Sequence, residues 1–483
     1  MNLFIVQRIL GLLLMLFSFT MLPPIGVSLY FQDRNWQPFF DAFIALLGLG
    51  ALIWWPVRKL VRELRLRDGF LVVALFWVVL GLAGAAPLML SARLDMSITD
   101  AVFEAVSGFT TTGATVLVGL DALPQSLLYY RNQIEWLGGI GIVVLAVALL
   151  PMLGVGGMQL LRAETPGPVK DSKLTPRITE TAKVLWMIYV AITALCALAY
   201  WAAGMTPFDA IAHSFSTVST GGHSTHDKNL AYFDSAVIEA IAIVFMFLGG
   251  VNFSLHFLAW RHKRVASYVR DPEFRAYVLI LAASILLYTV ALWLARWPED
   301  IGHALRVSIF HAVSMQTSSG FVTENFSLWP GALPVILMLS TFIGGCAGST
   351  SGGMKVVRWL LIWKQGQREV VQLVHPSAEL PVKLGEKPIN PRVVDAVWGF
   401  FAVYVVSFGV LMILLMATGE DQVTAFSAIA ACINATGTGL GEVSSNFTTL
   451  NAAGKWICIV AMLLGRLEVF PLLVLISPTF WRK

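Results

Sequence analysis

The feature that most constrains this chain is its supply of long apolar segments. A helix crossing a bilayer needs ~20 mainly apolar residues, because its backbone polar groups must be satisfied within the segment. Ten stretches qualify: residues 9–30, 38–56, 70–92, 132–154, 184–204, 235–259, 276–296, 332–346 with 354–363, 393–417 and 453–477. Charged residues make up 13% of the 483, about half the share usual in a soluble chain. Mean hydropathy is +0.74. This balance excludes disorder and most soluble enzymes. It predicts an all-α integral membrane protein with ten transmembrane helices. The first run, Met1 to Tyr30, carries one cation, Arg8, and then a stretch longer than a signal-peptide core. A second apolar segment follows after a short loop, so the first reads as a membrane helix rather than a secretory signal.

An even number of spans places both termini on one side, and Lys and Arg decide which. With the N-terminus inside, 25 of the 33 Lys and Arg fall in inner segments, seven fall outside and Arg466 lies within the last helix. Both termini are therefore expected in the cytoplasm. The formal charge of +4 reflects this topology bias rather than a nucleic-acid partner. Cys196, Cys346, Cys432 and Cys458 all sit in apolar stretches, too far apart for a metal motif or disulfide framework, and read as small buried hydrophobes.

The outer segments are not ordinary loops. Four contain a semi-apolar stretch too short to cross: Ile98–Phe109, Phe208–Val218, His303–Met315 and Val423–Ile433. Each leads into a run of small residues: Thr110–Thr115, Ser219–Ser224, Thr317–Val322 and Ala435–Gly441. Another long helix then follows. The unit of helix, half-helix, turn and helix occurs four times after two N-terminal helices. Without gaps, Gly113 and Gly222 stand 109 residues apart, as do Asp100-Ala101 and Asp209-Ala210. Gly320 aligns next. In the fourth unit Gly437 is favoured, since Thr436 precedes it as Thr112 precedes Gly113, with Gly439 the alternative register. The expected organisation is 1–68, an N-terminal two-helix unit, then pore repeats at 69–180, 181–272, 273–390 and 391–483, arranged around one axis.

Non-helical backbone inside a membrane is tolerated where it is buried in protein or lines water. Four turns on one axis offer a ring of carbonyl oxygens able to replace the hydration shell of a monovalent cation. Glycine admits the backbone angles this requires. The half-helices aim their partially negative C-termini at the axis. Outer acids, including Asp95, Asp100, Glu104, Asp121, Asp209, Asp227, Glu324 and Glu442, outnumber the outer cations and read as a cation-concentrating rim.

These segments resemble the Trk/Ktr/HKT superfamily of potassium transporters, most closely its bacterial TrkH-type subunit. The resemblance is carried by Ser107–Leu120, Gly138–Gly157, Ser219–Asp227, Thr341–Lys355, Ala396–Phe401 and Leu464–Leu473. It covers nearly the whole chain. It implies a K⁺-selective, Rb⁺-permeable pore in each subunit of a homodimer in the bacterial inner membrane, in contact with lipid. It also implies a cytosolic nucleotide-binding regulator of the TrkA type that gates the pore. By position it assigns the filter carbonyls, and hence the K⁺ ions, to Thr111, Thr112 and Gly113; Thr220, Gly221 and Gly222; Ser318, Ser319 and Gly320; and Ala435, Thr436 and Gly437. No covalently bound cofactor is expected. His223 stands where relatives commonly carry Phe and reads as packing beside the filter; a metal site shared with His226 is a minor alternative.

Two intramembrane features remain. The eighth apolar segment is broken by Gly344, Gly345, Gly348, Gly352 and Gly353, too many glycines for a continuous helix. Close helix packing is one account. The resemblance implies the other, a loop beneath the filter that obstructs the pore and moves on gating, with Lys355 at its inner end. Arg466 lies far from either end of its apolar segment, where a cation usually faces a cavity or partner. It is expected to face the pore and to take part in gating. The basic segments 162–183, 261–275 and 364–392 are the surfaces large enough to receive a regulator. A H⁺- or Na⁺-coupled symporter is the alternative to a channel-like pore; Glu135, Glu239, Asp395 and Glu468 sit near helix ends, and acid-poor membrane cores argue against coupling. The sequence has no HExxH, no P-loop and no GxSxG in a suitable context, which argues against an enzyme.

Overall fold

The computed structural model describes residues 3–60, 66–148, 178–297, 300–378 and 380–467. Most of the basic segment 162–183, the end of the span expected at 132–154, and Glu468 with the rest of the last expected span lie outside the described residues. The regular structure of the described residues is helical apart from a two-residue antiparallel ladder, Lys383–Leu384 with Lys387–Pro388. That hairpin is a small departure from the all-α expectation.

Six of the described helices are long and apolar enough to cross a membrane: Leu3–Phe31, Trp36–Val57, Asp68–Leu90, Ala182–Ala202, Pro272–Leu294 and Pro391–Met416. The first two pack so closely that Gly11 and Gly50 meet backbone to backbone. Small residues allow such an approach where lipid supplies no hydrophobic drive. Gln125–Ala148 is equally long but carries Arg131, Asn132, Gln133 and Glu135 on one stretch. The final described helix runs from Ala452 to Arg466.

The segment 235–259 differs from expectation. It is two helices, Ala236–Gly249 and Phe253–His262, bent by 95°. The cause is local. Gly249 lies under the second turn, where a Cβ would stand 2.9 Å from Thr220 Cγ2 and 3.0 Å from the Val218 carbonyl. Asn252 then caps a new helix through the Ser254 N–H. The eighth segment is likewise divided, into Leu333–Ser340, a loop, and Val356–Val374.

The four short stretches are discrete helices: Ile98–Phe109, Pro207–Ser219, Ile301–Gln316 and Gln422–Ile433. Each starts on a side-chain cap, from Ser97, Thr206, Asp300 and Asp421 respectively. Capping satisfies N–H groups that a helix start leaves open, and fixes where each half-helix begins. All four are buried along their inner ends.

Candidate ion pathway and gate

The four half-helices end alike. In each, a residue one or two past the helix turns left-handed: Thr111 at φ +54°, Thr220 at +55°, Ser318 at +56° and Ala435 at +54°. Two residues on, a glycine does so again: Gly113 at +78°, Gly222 at +86°, Gly320 at +69° and Gly437 at +76°. Between them, the N–H of Thr112, Gly221, Ser319 and Thr436 each donates to a carbonyl five residues back, at 2.8, 2.8, 2.7 and 2.8 Å. Four different sequences thus adopt one backbone path, which leaves their remaining carbonyls free of helical partners.

The glycines fix how the turns meet. A Cβ on Gly113 would stand 1.9 Å from the Gly221 carbonyl oxygen; on Gly222, 2.1 Å from that of Ser319; on Gly320, 1.8 Å from that of Thr436; on Gly437, 2.3 Å from that of Thr112. Each turn therefore abuts the carbonyl of the next, and the fourth returns to the first. Gly439 does not enter this cycle: its added Cβ would meet Val443 and Ser427. Of the two registers weighed for the fourth turn, Gly437 is the one brought together with Gly113, Gly222 and Gly320.

Behind the turns lies a charged layer absent from the sequence reading. Glu104 is fully buried, accepting from Arg131 Nε at 2.7 Å, Thr115 Oγ1 at 3.0 Å and the Val116 N–H at 2.9 Å. Glu135 is fully buried against Gly221, accepts from the His223 N–H at 3.3 Å and lies 3.0 Å from His223 Nδ1. Glu273 and Asp68 are also buried. Three expectations need correcting. Glu104 is a buried support, not a rim acid. Arg131 is its partner, not a topology marker in an outer loop. The membrane cores are not poor in acids; their acids are paired or hydrogen-bonded, as water-excluded charges must be. Asp100 and Glu239, also read as rim or helix-end acids, are tied to Lys455 at 2.6 Å and Arg306 at 2.6 Å. Arg131 and Glu135 are one helical turn apart, which is the signal that could have found this layer. The packing of Gly138 against the Phe109 carbonyl and of Gly139 against Ser219 explains why their helix threads between two turns.

On one side the turns open into a cavity of about 260 Å³ lined by Gly113, Gly222, Gly320 and Gly437 together with His226, Asp227 and Glu324. His226 joins the first outer turn to the second half-helix here, Nδ1 at 2.5 Å from Asp121 and Nε2 at 3.4 Å from Asp209, while its ring stacks on Tyr232 at 3.5 Å. Burial works against its charge, yet Asp209 and Asp121 outweigh that and raise its pKa. The hydrogen bond from His226 in turn holds the Asp121 carboxyl below its usual range. His226 is therefore spoken for by carboxylates and forms no pair with His223.

On the opposite side the loop Thr341–Lys355 is pressed against three of the four turns. Thr350 Oγ1 donates to the Val218 and Gly249 carbonyls at 3.0 and 3.1 Å and accepts from Thr220 Oγ1 at 3.3 Å. Ser351 Oγ is 3.3 Å from Ser318 Oγ, and the Gly352 N–H donates to Ser318 Oγ at 2.5 Å. Gly352 also lies against the Asn434 carbonyl beside Ala435. Gly344, Gly348 and Gly353 adopt φ of +73°, +73° and +71°, while Gly345 packs on the Gly250 carbonyl. Lys355, at φ +76°, folds back so that its ammonium reaches the Ser351 carbonyl and, at 3.4 Å, Ser349 Oγ. Arg466 Nη1 donates to the Thr350 carbonyl at 3.1 Å, and its guanidinium lies 5.7 Å from the Trp77 ring centroid. Arg466 thus meets the loop itself. Asn434, missed in the sequence, joins the fourth turn to this loop by accepting from Tyr404 and donating to Thr341 at 3.0 Å.

A helical membrane protein in which capped half-helices deliver a closed set of backbone carbonyls to a buried path is a membrane ion transporter in kind. More narrowly, the chain belongs to the TrkH family of cation transport proteins, whose model matches residues 35–483. It is 56% identical over 483 residues to the Trk system potassium uptake protein TrkH of Halomonas elongata, with all of both chains covered. It is 51% identical over 478 residues to that of Escherichia coli K12, with 99% of each covered. The crystal structure of the potassium transporter TrkH from Vibrio parahaemolyticus superposes with a TM-score of 0.93 at 50% identity, covering both chains completely.

Proposed function

We propose that this chain carries potassium into a bacterial cell across the inner membrane, through a channel-like pore that selects K⁺ and Rb⁺ over Na⁺. The observation that carries the reading is the cycle in which each of Gly113, Gly222, Gly320 and Gly437 faces the carbonyl of the next turn. The four units then act as pseudo-repeats about one axis. The filter carbonyls belong to Thr111, Thr112 and Gly113; Thr220, Gly221 and Gly222; Ser318, Ser319 and Gly320; and Ala435, Thr436 and Gly437. Close-set carbonyl dipoles favour a weakly hydrated monovalent cation. Residues Thr341–Lys355 form the gate beneath them, and Arg466 holds it shut through Thr350. The names of the most similar relatives, all potassium uptake proteins of Trk systems, support the choice of ion. We place both termini in the cytoplasm, and assign a second copy of the chain as partner and a TrkA-type nucleotide-binding protein as regulator.

The test is flux of K⁺, Rb⁺, Na⁺ and Li⁺ into liposomes holding the purified chain, with Gly113→Ser alongside. Flux of K⁺ and Rb⁺ above Na⁺, with the gap narrowed by Gly113→Ser, is expected. Equal flux of all four ions refutes the selective filter. The buried Glu135–His223 contact beside Gly221 keeps a coupled symporter as second reading. Flux that requires a proton or sodium gradient would establish it.

A further inference from the structure

The gate loop is held from above by the turns, and its cytoplasmic attachment has its own anchor. We infer that Glu273 is the latch of the gate: one buried carboxylate that positions both arms of the loop in the shut state. This rests on the gating role of Thr341–Lys355 proposed above.

Glu273 stands in the first turn of Pro272–Leu294 and is 1% exposed. A single oxygen, Oε1, accepts from the Ala347 N–H at 2.7 Å and from the Val357 N–H at 3.2 Å. Ala347 lies in the descending arm of the loop; Val357 opens the helix Val356–Val374 that leaves it. That helix begins on Lys355, whose side chain makes no capping bond. Glu273 therefore supplies the missing cap from another part of the chain, and a carboxylate at a helix start is favoured by the helix dipole as well. The same arm is tied to the broken span beside it: the Cys346 N–H donates to the Gly250 carbonyl at 2.8 Å, and Gly348 accepts from the Phe253 N–H at 3.1 Å. Of these ties, the one to Glu273 alone carries a charge.

The position has mechanical consequences. Asp271 caps the helix of Glu273 through the Phe274 N–H at 2.8 Å, and the short helix Ala266–Arg270 precedes it. Gly385 of the hairpin lies against Pro272. The latch thus sits where cytoplasmic elements meet the loop. A rotation of this elbow withdraws the carboxylate from Ala347 and Val357 together. Both arms are then released at once, and the glycines at 344, 348 and 353 supply the joints. This gives Glu273 a positioning role: it touches the gate, not the ion.

The experiment uses the full chain in liposomes, with Cys196, Cys432 and Cys458 replaced by Ala so that Cys346 is the sole thiol. Cys346 is fully buried next to Ala347, so its reaction with a small water-soluble methanethiosulfonate reads release of the loop. Loss of a charge-assisted hydrogen bond corresponds to about tenfold or more in an equilibrium. Glu273→Ala is expected to raise both the Cys346 labelling rate and K⁺ flux by about tenfold, with the K⁺ to Na⁺ flux ratio unchanged. Glu273→Gln keeps the shape and loses the charge; it should fall between, and it decides the matter if Glu273→Ala does not fold. Labelling and flux equal to the parent in a monodisperse Glu273→Gln protein overturn the latch. A fall in the K⁺ to Na⁺ ratio also overturns it, because the substitution then acts on the fold of the filter. Faster labelling with unchanged flux leaves the latch standing and refutes the loop as gate.

Discussion

Consider adding one methyl group to the fourth turn, as Gly437→Ala and, separately, Gly439→Ala. The two glycines are two residues apart and have opposite surroundings. At Gly437 the new Cβ falls 2.3 Å from the Thr112 oxygen, 2.5 Å from the Gly113 carbonyl carbon and 2.6 Å from the Ala114 nitrogen. All three are backbone atoms of the first turn. Ordinary contact begins near 3.4 Å, so the two turns must part by about 1 Å. The φ of +76° adds ~1–2 kcal/mol for any residue with a Cβ. At Gly439 the nearest atom is Val443 Cγ2 at 2.6 Å, the end of a side chain, and moving it costs about 0.5–1.5 kcal/mol. Gly437→Ala should therefore open the carbonyl ring and reduce the K⁺ to Na⁺ flux ratio in liposomes by about tenfold, equivalent to ~1.4 kcal/mol of discrimination. Gly439→Ala should leave the ratio unchanged. Gly409→Ala, whose Cβ meets nothing within 4 Å, is the control for adding a methyl group anywhere. The reverse order, with Gly439→Ala destroying selectivity and Gly437→Ala sparing it, would refute both the register and the role of the ring.

Further outcomes follow from the charged groups. Arg466→Ala removes a charged donor from the Thr350 carbonyl, a bond worth about 1.5–3 kcal/mol, and should raise K⁺ flux about tenfold or more; unchanged flux in the purified, reconstituted protein would sink the gating role. Glu104→Ala leaves the buried Arg131 without its carboxylate and should cost ~3–5 kcal/mol, read as a large fall in Tm in detergent; a Tm within a degree of the parent contradicts the support role. His226 has a raised pKa, so its bridge to Asp121 and Asp209 contributes fully below the unfolded pKa and is lost as pH rises through the folded one. The Tm advantage of the parent over His226→Gln should accordingly shrink between pH 6 and pH 9; an advantage that grows with pH contradicts the bridge.

Much of this architecture was legible because its signals are local. The short semi-apolar stretches announce half-helices whose observed starts lie within two residues of those expected, and a small-residue run follows each. The glycines 109 residues apart, Gly113 and Gly222, marked equivalent positions of two turns that take the same left-handed conformation. The broken eighth segment was equally plain, since five glycines between Gly344 and Gly353 cannot stay helical in a membrane. The bend at Gly249–Asn252 was not, although its residues carry the same signal more weakly. A Gly-Gly pair in an otherwise apolar run is compatible with a straight helix. What breaks this one is Thr220 pressing on Gly249 from a turn thirty residues earlier, a contact the segment does not encode alone.

The charged layer behind the turns was hidden for a different reason. Taken singly, Glu104 sits in a half-helix and reads as a rim acid, Arg131 as an outer cation, and Glu135 as the polar end of a span. Each reading assigns a charge to water because a membrane penalises it. The penalty falls on uncompensated charge, and the chain avoids it by bringing the three together with His223 around two turns. A ring of carbonyls requires such support. Each turn gives up helical hydrogen bonds, so its N–H groups and neighbouring loops must be held by something else. Glu104 does this for Val116, Glu135 for His223, and Glu273 does the same for the glycine-rich loop at Ala347 and Val357. Buried carboxylates that accept from main-chain N–H groups are thus a recurring device of this fold, and it places them where regular structure has been surrendered.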